Sequence, residues 1–98
     1  MGRVVYTKDQ FIITKVGNGF ILQNNNKEFK DGHTHIKSVN MAKILIDCIL
    51  KEKLPKTRNN YLLSSVIRIA ESEKYKDKIK LLMLVRRSKK SEPYRRYA

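Results

Sequence analysis

The sequence has no tryptophan, only three phenylalanines and five tyrosines. Aliphatic side chains must therefore build most of any core. Its one cysteine, Cys48, excludes an internal disulfide. Cys48 sits in an apolar run, where a free thiol packs as a small hydrophobe. A lone thiol suits a reducing compartment, and the cytoplasm is the simplest expectation. Long apolar runs are also missing. The longest, Leu81 to Val85, has five residues, against the ~18 that span a bilayer, so no membrane association is expected. Lys8, Asp9 and Lys15 interrupt any signal-peptide core near the start. Tyr6 stands where a myristoylation motif wants Ser or Thr.

Acidic residues are scarce as well: nine Asp and Glu face 22 Lys and Arg, a net charge of +13. The nine acids are too scattered for a carboxylate cluster or a paired general acid and base. No serine sits in a nucleophile elbow. Gly17-Asn18-Gly19 lacks the Gly-Lys-Ser/Thr ending of a phosphate loop and does not join a strand to a helix. No enzyme active site, cofactor or metal site is expected. What remains is charge, which draws polyanions. It is unevenly spread. Residues 61–98 hold eleven basic and four acidic groups, whereas residues 1–37 hold six and three.

Ninety-eight residues make one domain. With 41% apolar residues and a mean hydropathy of −0.53 the chain carries enough Ile, Leu and Val to fold. Val4-Val5-Tyr6 is a short β-rich run that Asp9-Gln10 interrupts. Phe11 to Val16 and Phe20 to Gln23 are two more runs, joined by Gly17-Asn18-Gly19. Glycine and asparagine supply the positive φ of a tight hairpin turn, so a hairpin is predicted here. Lys27-Glu28-Phe29-Lys30 reads as a short strand or an extended loop, and Asp31-Gly32 as a turn.

Ser38 or Asn40 can cap a first helix whose stripe is Met41, Ile44, Leu45, Cys48 and Ile49, stopped by Pro55. Thr57, Asn59 or Asn60 can cap a second helix, striped by Leu62, Leu63, Val66, Ile67 and Ala70. Ser72 can cap a third, with Tyr75, Ile79 and Leu82 on one side. The expected fold is α+β: an N-terminal antiparallel β-hairpin or three-stranded sheet packed against three short C-terminal helices. Residues 1–87 form the domain, and residues 88–98 a flexible basic C-terminal tail. The expected core is Phe11, Ile13, Phe20, Leu22, Ile44, Leu45, Cys48, Ile49, Leu63, Val66, Ile67, Ile79 and Leu82.

The residues most suited to an anion lie late in the chain. Arg86, Arg87, Lys89, Lys90, Arg95 and Arg96 surround Tyr94 and Tyr97. Guanidinium groups clamp phosphates and tyrosine rings stack on bases. Lys76, Lys80 and Arg87 add a basic stripe on the third helix, with Arg68 on the preceding one, although any exposed face of a lysine-rich helix looks alike. A helix-turn-helix around Pro55 is disfavoured: Leu54-Pro55-Lys56-Thr57 has no glycine, and few polar side chains on the second helix can read base edges.

His33 and His35 alternate, so on a strand they point the same way and can meet one anion or partner. Two histidines at such a junction more often hold backbone through a ring nitrogen. Zinc needs three or four ligands, and Asp31, Asp47 and Cys48 lack signature spacing.

The size, the richness in Lys, Ile and Asn, and the hairpin before Phe29-Lys30-Asp31-Gly32-His33-Thr34-His35-Ile36 resemble small accessory proteins carried by prophages of low-GC Gram-positive bacteria. No residue roles carry over. The resemblance implies a protein that binds nucleic acid, or one that binds and inhibits a host or defence protein. A non-enzymatic nucleic-acid-binding accessory protein, contacting DNA or RNA, is the leading expectation. An inhibitor or adaptor that covers an acidic patch on a host protein is the alternative. A homodimer through the exposed edges of so small a sheet is compatible with either.

Overall fold

The computed structural model describes residues 2–96, with side chains through Val85. Four strands come first: β1 (Arg3–Lys8), β2 (Phe11–Val16), β3 (Gly19–Asn24) and β4 (His33–Ile36). They pair antiparallel in the order β1-β2-β3-β4. Three helices follow: α1 (Val39–Lys51), α2 (Asn60–Ile69) and α3 (Glu73–Arg96). The α+β architecture is as expected. The sheet gains a strand because both Arg3–Lys8 and His33–Ile36 pair with the central hairpin.

Local chemistry explains these boundaries. Val16 opposes Gly19, so Gly17 and Asn18 form a two-residue turn, and Gly17 has φ 48°. Asp9 takes the matching role between β1 and β2, with φ 52°. Among non-glycine residues aspartate is one of the few that tolerates this region. The Oγ of Ser38 accepts from the Met41 amide (3.2 Å), the side-chain oxygen of Asn59 accepts from Tyr61 (2.8 Å), and Ser72 Oγ accepts from Tyr75 (3.2 Å). These satisfy free N–H groups in each first turn.

α1 ends on Glu52, a left-handed residue with φ 52° and ψ 41°. Glycine adopts that conformation without the steric penalty a Cβ brings. Glu52→Gly is expected to stabilise the fold by roughly 0.5–1 kcal/mol, visible as a melting temperature higher by a few degrees.

One sheet face packs on the helices. Phe11, Ile13, Leu22 and Ile36 point into the core against Leu45, Ile46, Leu63, Val66, Ile69, Tyr75 and Ile79. Burial in β2 alternates accordingly: Phe11 and Ile13 are fully buried while Ile12 and Thr14 are half-buried on the other face. Register puts Ile12, Gln23 and His33 in one row across that open face and Thr14, Ile21 and His35 in the next.

The core differs from expectation at one position of α1. Ile44 was expected in the core and is 53% exposed, while Ala42 and Ile46 are fully buried. α1 is apolar nearly all round, so its periodicity contains two stripes and does not say which faces the sheet. The core stripe is Ala42, Leu45 and Ile46, with Cys48 buried as expected and Ile49 partly buried. Met41, Ile44 and Cys48, within about 60° of one another at 100° per residue, form a second stripe, of which Ile44 is exposed, Met41 partly buried and Cys48 buried. Phe20, Ile49, Ile67 and Leu82 pack at the margin of the core, partly buried. Lys27-Glu28-Phe29-Lys30 forms a loop rather than a strand. α3 carries helical backbone as far as Arg96. Among the described residues no helix is long and apolar enough to cross a membrane.

Candidate functional site

α3 is the element that presents charge. Its N-terminal half is anchored by Tyr75 and Ile79, 1% and 0% exposed. The Tyr75 hydroxyl donates to the Lys53 carbonyl (2.7 Å), and burial pushes its pKa well above the usual phenol value. With that side inward, Lys74, Lys78 and Lys80 point outward and are exposed. None makes an ion pair or hydrogen bond with another described residue. In the sequence Lys80 belongs to the basic stripe, while Lys74, Lys78 and Asp77 spread charge around the same helix.

The other two nominated cations in the described part are engaged within the fold. The Arg68 guanidinium donates from Nε to the His33 carbonyl (2.8 Å) and from a terminal nitrogen to the Lys30 carbonyl. It ties α2 to the start of β4. Arg68→Met, which keeps the aliphatic stem, is expected to lower stability by about 1 kcal/mol and to leave any anion affinity nearly unchanged. Thermal melting and a binding titration on the same sample check both halves.

Lys76 is largely covered, with 15% side-chain exposure, and pairs with Glu73 at 3.1 Å. Nearby, Lys27 donates to the Arg68 carbonyl (2.9 Å). Burial, and then the neighbouring Lys76 ammonium, lower its pKa. Lys27 and Lys76 thus lie close to Glu71 and Glu73 in a compensated cluster. The side chains of Arg86, Arg87, Lys89, Lys90, Tyr94, Arg95, Arg96 and Tyr97 lie outside the described residues.

His33 and His35 stand side by side on the open sheet face, rings 5.3 Å apart and edge-on. His33 Nδ1 meets the Phe29 carbonyl, and its ring stacks on Phe29 at 4.0 Å with planes 6° apart. This is a structural use, which closes the 24–33 loop over the sheet corner. His35 is exposed, and its carbonyl accepts from the Tyr61 hydroxyl (2.6 Å). Among the described residues no group of three or more His, Cys, Asp or Glu side chains gathers where a metal ion could be held.

The second stripe of α1 opens into a groove of about 810 Å3 between that helix and the Lys53–Thr57 segment. Met41, Ile44, Cys48 and Leu54 line it, and Lys43, Lys53, Lys56 and Asp47 stand around it. Asp47 pairs with Lys51 (3.2 Å) and Lys53 (3.8 Å). The Lys51 ammonium bonded to it holds its carboxyl below the usual carboxylate range. Burial pushes the Cys48 thiol up, which keeps it protonated and unreactive at neutral pH.

No family model matches this chain, and no curated protein or solved structure matches it either.

Proposed function

We propose that this is a non-enzymatic, cytoplasmic accessory protein that binds nucleic acid through α3. The supporting observation is the exposure of Lys74, Lys78 and Lys80 at the root of a helix whose remaining sequence adds Arg86, Arg87, Lys89, Lys90, Arg95 and Arg96 against a single acid, Glu92. Lysines without carboxylate partners keep their full charge available for phosphates, and each contact releases a condensed counterion. Tyr94 and Tyr97 supply rings for stacking on unpaired bases.

The test is binding of nuclease-treated protein to labelled single- and double-stranded DNA and RNA at several salt concentrations. Affinity that survives near-physiological salt, with a steep logarithmic slope, supports the proposal. Binding that vanishes above low salt leaves only the unspecific adhesion of a +13 protein.

A second reading rests on a different observation. Ile44 and Leu54 are 53% and 47% exposed beside lysines, which suits an adaptor or inhibitor meeting an acidic protein better than it suits phosphates.

A further inference from the structure

We infer that the groove between α1 and the Lys53–Thr57 segment is a docking site for an acidic amphipathic segment of a partner protein. The inference rests on the adaptor reading and is independent of nucleic-acid binding by α3. Three features carry it.

The first is the second stripe of α1. Met41, Ile44 and Cys48 follow i, i+3, i+7 spacing along the groove; Cys48 is buried and Met41 partly so, and Ile44 is the exposed one of the three. Ile44 and Leu54 remain about half exposed, on opposite walls of one concavity. An amphipathic helix laid into such a groove buries apolar residues at the same spacing. At about 810 Å3 the groove lies within the range of ligand-binding clefts.

The second feature is the rim. Lys43, Lys53 and Lys56 line the groove; the Lys43 ammonium lies over the Tyr6 ring (4.7 Å), and Lys53 shares Asp47 with Lys51. Lys56 is exposed and pairs with no other described residue. A segment with acidic residues flanking its apolar positions matches this rim in charge, which favours fast encounter and correct register.

The third is the poor fit of other occupants. The lining contains no Phe, Tyr, Trp or His, so a nucleic-acid base has no ring to stack on. A second copy would bring its own lysine rim and its own +13 charge against this one.

The experiment uses the full chain and a synthetic probe: a helical peptide of about four turns with Leu at i, i+3, i+4 and i+7 and Glu at the other positions. One control peptide replaces Leu with Ser, and another replaces Glu with Lys. Binding is read by fluorescence anisotropy and mapped by amide chemical shifts. The acidic amphipathic peptide is expected to bind, both controls to bind at least tenfold more weakly, and shifts to centre on Ile44, Cys48 and Leu54.

Ile44→Glu, at an exposed position, is expected to weaken binding by at least roughly tenfold, about 1.4 kcal/mol. Leu54→Ser repeats the test on the other wall. No binding, or binding indifferent to both substitutions, overturns the inference. Shifts confined to Lys74, Lys78 and Lys80 overturn the groove as the site while leaving the adaptor reading standing. A dimer in sedimentation that Ile44→Glu dissolves would replace the acidic segment with a second copy.

Discussion

Asn24→Ala is expected to cost about 3 kcal/mol and to lower the melting temperature by more than 10 °C. That is the upper end for a single polar side chain, where removing one partner strands buried groups, and a domain of this size shifts by ~4–8 °C per kcal/mol. Asn24 is fully buried at the end of β3. Its amide donates to the Ile69 carbonyl (2.8 Å) and to Glu71 (3.0 Å). Its side-chain oxygen accepts from the Asn26 amide (2.8 Å). Alanine removes all of these and leaves a void in a packed layer. The side chain joins the sheet to the α2–α3 junction, which sets the direction of α3. A loss below 1 kcal/mol in chemical denaturation would mean that water replaces these bonds.

Glu71 completes the same clasp. It accepts from Asn24, Asn26 (3.2 Å) and Gln10 (2.9 Å). These amide donors, Asn24 first, hold its carboxyl below the ordinary value of 4.5. A carboxyl whose pKa is depressed on folding contributes stability above its unfolded pKa and loses it as pH falls through the folded value. Part of the acid sensitivity below about pH 4.5 should therefore come from Glu71. Glu71→Gln offers one acceptor oxygen to three donors, so it should lower stability at pH 7 and flatten the pH dependence in that window. Denaturation midpoints at pH 7 and pH 3.5, wild type against variant, decide it. Parallel curves would assign the acid response to other carboxyls such as Asp47 and Glu73.

Much of this fold is legible in the sequence. Gly17-Asn18 announces the central hairpin because few other residues accept its turn. Ser38, Asn59 and Ser72 mark three helix starts through a single chemistry, a side-chain oxygen over free amides. The outer strands are less legible. Val4-Val5-Tyr6 and His33-Thr34-His35-Ile36 are too short to declare a partner, and β1 also breaks register between Val4 and Tyr6. Pairing with a neighbour, rather than propensity, makes them strands.

The site divides similarly. The concentration of charge in the last third is visible in composition alone. The engagement of Arg68 and Lys76 is not, because their partners, His33, Lys30 and Glu73, include carbonyls that no side-chain pattern encodes. The groove is hidden for a third reason. α1 is apolar over most of its circumference, and which apolar side chain stays outside, Ile44, is decided only when the sheet packs on the others.

Reversing the charge of α3 should have the largest functional effect. The combined substitution Lys74→Glu, Lys78→Glu and Lys80→Glu is expected to weaken nucleic-acid binding by 100-fold or more and to leave the fold intact. All three side chains are exposed and unpaired in the described structure, so their removal strands nothing. Each lysine that touches a phosphate adds roughly 0.9 to the logarithmic salt slope on double-stranded DNA and about 0.7 on single strands. If all three do, the slope should fall by about 2–3 units. Reversal also adds direct repulsion from the phosphates, so the loss should exceed that of simple neutralisation. Arg68→Met provides the contrast: its guanidinium serves two backbone carbonyls, so it should cost stability while the slope stays put. An unchanged slope in the triple variant would move the interface off this part of α3. The same result with intact binding of the acidic amphipathic peptide would make the lysine-rimmed groove the functional surface of the protein.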